Sequence, residues 1–154
     1  MSRAALFLAR FCSSGWMGAA SLFVIVGILE VTQSSFDSTT KDILVTIRFP
    51  SFYRLGLTLL FLAWLGACAS KSHPELPDRR RAIAIFSLLT AIILMIVDYN
   101  WVYSPLLAMV TPAGQSKPAI FVTYHQASKY INLTGLVFTL IAAVVLNWPR
   151  GEKE

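Results

Sequence analysis

RRRAIAIFSLLTAIILMIVDYN, residues Arg79–Asn100, is the stretch that decides the fold. Three arginines lead into a charge-free, largely apolar run, Ala82–Val97, which Asp98, Tyr99 and Asn100 then close. A helix rising 1.5 Å per residue crosses a ~30 Å hydrocarbon layer in about 20 residues, so the charged and polar ends of this stretch suit the two faces of such a layer. Backbone surrounded by lipid must satisfy its own hydrogen bonds, which makes helix the conformation to expect. Three more stretches share this character: Phe11–Leu29, Pro50–Ser70 with Arg54 in its first turns, and Tyr130–Pro149.

Of the 154 residues, 56% are hydrophobic and 14% charged, against about 45–50% and about 25% in soluble domains. The expectation is therefore an all-α chain forming one transmembrane domain over 1–154. It is an integral membrane four-helix antiparallel bundle with helices at about 5–32, 50–70, 81–104 and 121–148. The first run follows Arg3 and Arg10 but is longer than the apolar region of a signal peptide, so it is read as a retained helix.

The net charge of +5 is explained by where the basic residues fall. Arg3, Arg10, Lys71, Arg79, Arg80, Arg81, Arg150 and Lys153, eight of the thirteen, lie before helix 1, between helices 2 and 3, or after helix 4. Lys41, Arg48, Arg54, Lys117 and Lys129 are spread over the opposite face. The excess of Lys and Arg on one side predicts a plasma (bacterial inner) membrane protein with both termini and the middle loop in the cytoplasm. The bilayer and other membrane subunits are the expected partners, and the arginine run reads as a topology signal, with no nucleic-acid partner. Cys12 and Cys68 lack metal or disulfide spacing and read as small buried side chains.

The connections carry more detail. Pro74 and Pro77 in the middle loop predict a tight hairpin between helices 2 and 3. Between helices 1 and 2, Asp37 or Ser38 can cap a short helix in which Ile43, Leu44, Ile47 and Phe49 alternate with Lys41, Asp42, Thr46 and Arg48. This short interfacial helix is expected to lie along the membrane surface, with Pro50 starting helix 2. Helix 3 is expected to run past the layer until Pro105 kinks or ends it, and helix 4 to begin near Ala119. Tyr53, Tyr99, Trp101, Tyr103, Tyr124 and Tyr130 mark the outer interface and Trp148 the inner one.

Two groups of residues are candidates for a role. Gly15, Gly18 and Ala19 form a small-residue face on helix 1, suited to helix packing within the chain or against another subunit. Glu30, Arg48, Arg54, Asp98, His125, Ser128 and Asn132 are polar residues whose helix ends meet on the outer side, and the last three share one helix face. Ionisable groups at that depth need partners, so Glu30 and Asp98 are expected to face inward and meet Arg48, Arg54 or His125. Such a cluster serves as a structural ion-pair network, as a ligand or metal site built from Glu30, Asp98 and His125, or as part of a proton path.

Catalytic signatures are missing. His73 and His125 are the only histidines, and no nucleophile elbow, phosphate-binding glycine loop or zinc-protease motif occurs. The chain is read as non-enzymatic, with no cofactor and no resident metal. Its expected role is a structural or accessory subunit of a larger membrane complex. The alternative is a small oligomeric transporter or metal-binding membrane protein.

Trp16-Met17-Gly18, Arg48-Phe49-Pro50-Ser51-Phe52-Tyr53 with Gly56, and Tyr124-His125-Gln126-Ala127-Ser128 with Asn132 resemble motifs of the transmembrane protein 205-like family. The resemblance covers roughly Arg10–Trp148. It implies four membrane helices and marks Trp16, Gly18, Pro50, His125, Ser128 and Asn132; the family's biochemical role is largely undefined, with its eukaryotic members linked to metal-drug resistance, so the resemblance implies no specific activity. Asp98-Tyr99-Asn100-Trp101 and the long first outer loop have no counterpart in the family pattern.

Overall fold

A computed structural model describes residues 2–71, 73 and 75–149; Pro74, Arg150 and Lys153, used in the sequence reading, lie outside these. The described residues contain helices and no strands: α1 (Ser2–Thr32), α2 (Ser38–Ala69), α3 (Asp78–Val97), a π-helical turn (Asp98–Tyr103), α4 (Ser104–Met109) and α5 (Ile120–Asn147). Four helical stretches are long and apolar enough to cross a membrane: α1, α2, α3 continued through α4, and α5. Within each apolar window only 17% to 39% is buried inside the chain. Phe7, Leu22, Ile28, Phe86 and Leu133 point outward. A surface this apolar suits lipid as its solvent.

The inward faces step by three and four residues. They run Leu6, Ala9, Ser13, Trp16 and Ala20 on α1; Tyr53, Gly56, Leu60, Ala63 and Ala67 on α2; and Ala84, Leu88, Ala91, Met95 and Asp98 along α3 and into the π turn. On α5, Ser128, Thr139, Ala142 and Leu146 continue the pattern. This is the spacing of helices packed at a shallow angle. α1 runs opposite to both α2 and α5: Gly66 near the end of α2 lies against Ala5 and Ala9 near the start of α1, and Arg10 of α1 meets Leu146 near the end of α5.

Two glycines make these approaches possible. A Cβ on Gly66 would stand 2.6 Å from the Ala5 carbonyl, and one on Gly56 would stand 2.6 Å from both Trp16 and Met95. The small-residue face of α1 does not take this part. Gly15 and Gly18 are exposed with nothing near their missing Cβ atoms, and Ala19 is only partly buried. Packing within the chain by Gly15 and Gly18 is thus replaced by glycines on α2, because Trp16, between them, occupies the inward face.

The short interfacial helix is absent as a separate element. Ser38–Phe49 forms the first part of α2, which passes through Pro50. Asp37 caps it by accepting the Thr40 N–H at 2.8 Å, and the Thr40 side chain and N–H hold that carboxyl below the usual carboxylate range. Tertiary ties then keep this arm in line. Asp42 is buried, pairs with Lys117 at 2.8 Å and accepts the Gly114 N–H at 3.1 Å. Gly114 has φ +83 and sits so close to Thr39 that any side chain would collide. The connection between α4 and α5 is thereby latched onto the start of α2.

At the other end, arginines from two helices cap α5. Arg10 Nε donates to the Leu146 carbonyl at 2.8 Å, and Arg80 donates to the carbonyls of Val145, at 2.6 Å, and Trp148. Cations here satisfy the last carbonyls and complement the helix dipole. Arg81 pairs with Asp78 at 3.0 Å, and Arg10 with Glu75 at 3.0 Å. Cys12 and Cys68 are both free.

Gly66→Leu is expected to lower stability in detergent by about 1–3 kcal/mol, the usual cost of overpacking, while Gly15→Leu leaves it within about 0.5 kcal/mol. Denaturation followed by circular dichroism measures both, and equal effects would contradict this packing.

Candidate functional site

The site grows out of a break in helical regularity. After Val97 the chain widens into a π turn, in which the Ser104 N–H reaches back to the Tyr99 carbonyl. Pro105 follows directly and has no N–H to continue an α-helical ladder. A wider turn carries more residues, so Asp98, Val102 and Tyr103 all face inward, where α-helical spacing would send Tyr103 away from Asp98.

Asp98 is the centre. Its side chain is 0% exposed, and a single oxygen, Oδ2, accepts three hydrogen bonds. These come from the Tyr53 hydroxyl on α2, the Ser128 hydroxyl at 3.0 Å and the Asn132 amide at 2.5 Å on α5. Asn132 is itself held by the Ser128 carbonyl at 2.9 Å. The other carboxylate oxygen and the Tyr103 hydroxyl are buried without a hydrogen-bond partner. Around this node Tyr53 packs on Tyr103 and Tyr99, and Phe49 stacks on Tyr103 at 5.5 Å. A carboxylate taken from water is costly unless donors meet it, and here neutral donors from two helices do so.

The sequence-predicted residues separate into three places. Asp98, Ser128 and Asn132 converge. Glu30 and Arg48 form their own ion pair at 2.5 Å, joining α1 to α2, with the guanidinium over the Phe23 ring at 4.7 Å. Arg54 is exposed on α2, and His125 is exposed and stacked on Phe121 at 5.8 Å. The expectation that Asp98 meets a cation is thus corrected: Arg48 is taken by Glu30, and Arg54 and His125 point outward. Among the described residues no three His, Cys, Asp or Glu side chains gather, so Glu30, Asp98 and His125 do not form a metal ligand set. His125 sits almost one turn before Ser128, where the inward face of α5 gives way to an exposed one.

Sequence reasoning missed Tyr53 and Tyr103, assigning both to the interface. Tyr53 is 1% exposed and is the donor that brings α2 to the node. The signal was present: Tyr53, Gly56, Leu60, Ala63 and Ala67 share the three-four spacing of an inward stripe. Asp42 and its partners Gly114 and Lys117 were missed as well, and no periodicity announces a contact between the start of a helix and a distant loop.

No family model, curated protein or solved structure matches the chain.

Tyr53→Phe removes one donor and leaves Asp98 less satisfied, which should cost about 1–3 kcal/mol of stability. Arg54→Gln on the neighbouring exposed position should change it by less than about 0.5 kcal/mol. A double-mutant cycle of Tyr53→Phe with Ser128→Ala should be non-additive, since both serve one oxygen; strict additivity would break the proposed coupling.

Proposed function

We propose that this chain is a non-enzymatic, multi-pass membrane protein that serves as a structural or accessory subunit of a larger membrane complex. The observation that carries the reading is the closure of the Asp98 node. One oxygen of its fully buried carboxyl group accepts from Tyr53 on α2 and from Ser128 and Asn132 on α5, which ties three helical stretches of this chain together. A buried polar network of this kind fixes the register of α2, α3 and α5 and offers no reacting group to a substrate. A face with no role in internal packing adds support: Gly15 and Gly18 leave α1 backbone bare, the condition for another membrane helix to approach closely.

The proposed orientation puts both termini and the α2–α3 connection in the cytoplasm of a bacterial cell, with the four helices as an antiparallel bundle. The distribution of Lys and Arg supports it. The resemblance to the transmembrane protein 205-like family belongs to the same proposal.

Extraction from native membranes in a mild detergent should give the chain in an assembly larger than a monomer. Gly15→Leu with Gly18→Leu should release it as a folded monomer. A monomer from the unaltered protein at every expression level would overturn the role. Reporter fusions at the two termini should both report the cytoplasm, and opposite faces would overturn the orientation.

A further inference from the structure

A groove of about 310 Å³ runs between α1 and α2 on the surface of the helices. Its floor is aromatic, formed by Trp16, Phe23 and Phe52, with ring centroids 4.9 Å apart for Trp16 and Phe52 and 4.2 Å for Phe23 and Phe52. Ala19 lines it from α1 and Ser51 from α2, and Arg48 lies at one end. Its position along the helices is fixed by the charges. Arg10 and Glu30 are twenty residues apart on α1, about 30 Å, which is the thickness of the hydrocarbon layer. The Glu30–Arg48 pair therefore sits where hydrocarbon gives way to headgroups, and the aromatic floor lies within the hydrocarbon.

The pair is built into the groove mouth. The guanidinium lies over Phe23 and across bare backbone at Gly27, where a Cβ would come within 3.3 Å of Nη2. Arg48 Nε is buried without a hydrogen-bond partner. About a fifth of each side chain stays exposed, 21% for Arg48 and 20% for Glu30, so the pair is reachable from the membrane. A cation and an anion side by side at headgroup depth, above an apolar channel, match a molecule with adjacent opposite charges and a hydrocarbon chain.

We propose that the groove is a binding site for a phospholipid of the phosphatidylethanolamine type, one acyl chain lying on Trp16, Phe23 and Phe52. The phosphate faces the exposed edge of the Arg48 guanidinium, and the primary ammonium donates to Glu30. An anionic headgroup is disfavoured because Glu30 is already beside Arg48 and would repel it. A quaternary ammonium carries no N–H for the carboxylate. The site rests on the membrane reading of the chain and goes beyond the accessory role.

The test uses the full chain with Trp64, Trp101 and Trp148 changed to Phe, leaving Trp16 as the reporter. It is placed in phosphatidylcholine vesicles containing an equal fraction of phosphatidylethanolamine, phosphatidylglycerol or phosphatidylcholine with brominated acyl chains. Trp16 fluorescence should be quenched most by the brominated phosphatidylethanolamine. That excess should be lost in Ala19→Phe, which fills the groove, and in Glu30→Gln, which removes the ammonium's partner. As a measurement free of substitutions, mass spectrometry of the unaltered protein in mild detergent should find phosphatidylethanolamine retained above its share of the source membrane. Equal quenching by all three lipids with no such enrichment would overturn the proposal. So would a Trp16 shielded from every brominated lipid in a chain that elutes as a dimer, since a second copy would then fill the groove. A chain that stays in solution beside the vesicles would instead overturn the membrane reading itself.

Discussion

A fully buried carboxyl group met by neutral donors, with no cation of the described residues beside it, is the constraint on which this structure turns. In a layer of low dielectric a buried carboxyl group needs hydrogen-bond partners aimed at it, and here they come from two helices. Tyr53 on α2 and Ser128 with Asn132 on α5 supply them. The requirement propagates outward. Tyr53 reaches Asp98 because Gly56, one turn along, lets α2 settle against Trp16 and Met95. Tyr103 and Asp98 share a face because Pro105 ends the α-helical ladder and the chain takes a wider turn before it.

The remaining polar ties are arranged in layers around an apolar middle. At the Asp98 end, Glu30 binds Arg48 and joins α1 to α2, and farther along Asp42 binds Gly114 and Lys117 and fastens the α4–α5 connection. At the opposite end Arg10 and Arg80 hold the last carbonyls of α5. Between them lie alanines at Ala63, Ala67, Ala84, Ala91 and Ala142, all buried. Lipid tails are as apolar as leucine, so burying apolar surface there gains little. Close contact between small residues and hydrogen bonds at the ends must then hold the helices together.

Most of this was legible in the sequence, for a physical reason. Hydrocarbon excludes charge, so spans announce themselves as runs such as Ala82–Val97, and the three-four rhythm within a run marks its inward side. The convergence of Asp98, Ser128 and Asn132 follows from that rhythm once the helices are antiparallel. What escaped reading depends on geometry between elements. Tyr53 has the composition of an interface residue, and only its phase relative to Gly56 and Leu60 turns it inward. Ser38–Phe49 has the amphipathic pattern of a surface helix and still continues α2, because Asp42 finds partners seventy-two and seventy-five residues away. Pro50 tolerates this, since a helix loses one hydrogen bond there while tertiary contacts on both sides keep its direction.

The two sets of glycines show how one residue type divides its work by phase. Gly56 and Gly66 fall on the inward stripe of α2, and each would collide with a neighbour if it gained a single carbon. Gly15 and Gly18 flank the inward-facing Trp16 and meet nothing. Glycine costs a helix about 1 kcal/mol relative to alanine. On α2 the close helix contact offsets that cost inside the chain, whereas on α1 no internal contact does. Gly15 and Gly18 therefore leave bare backbone on the surface of α1, the kind of surface that lets another helix or a lipid chain approach closely. The groove beside Ala19, with its ion pair at headgroup depth, suits lipid. The open backbone at Gly15 and Gly18 lies one step around the helix, so one turn of α1 presents a groove and a bare backbone face side by side.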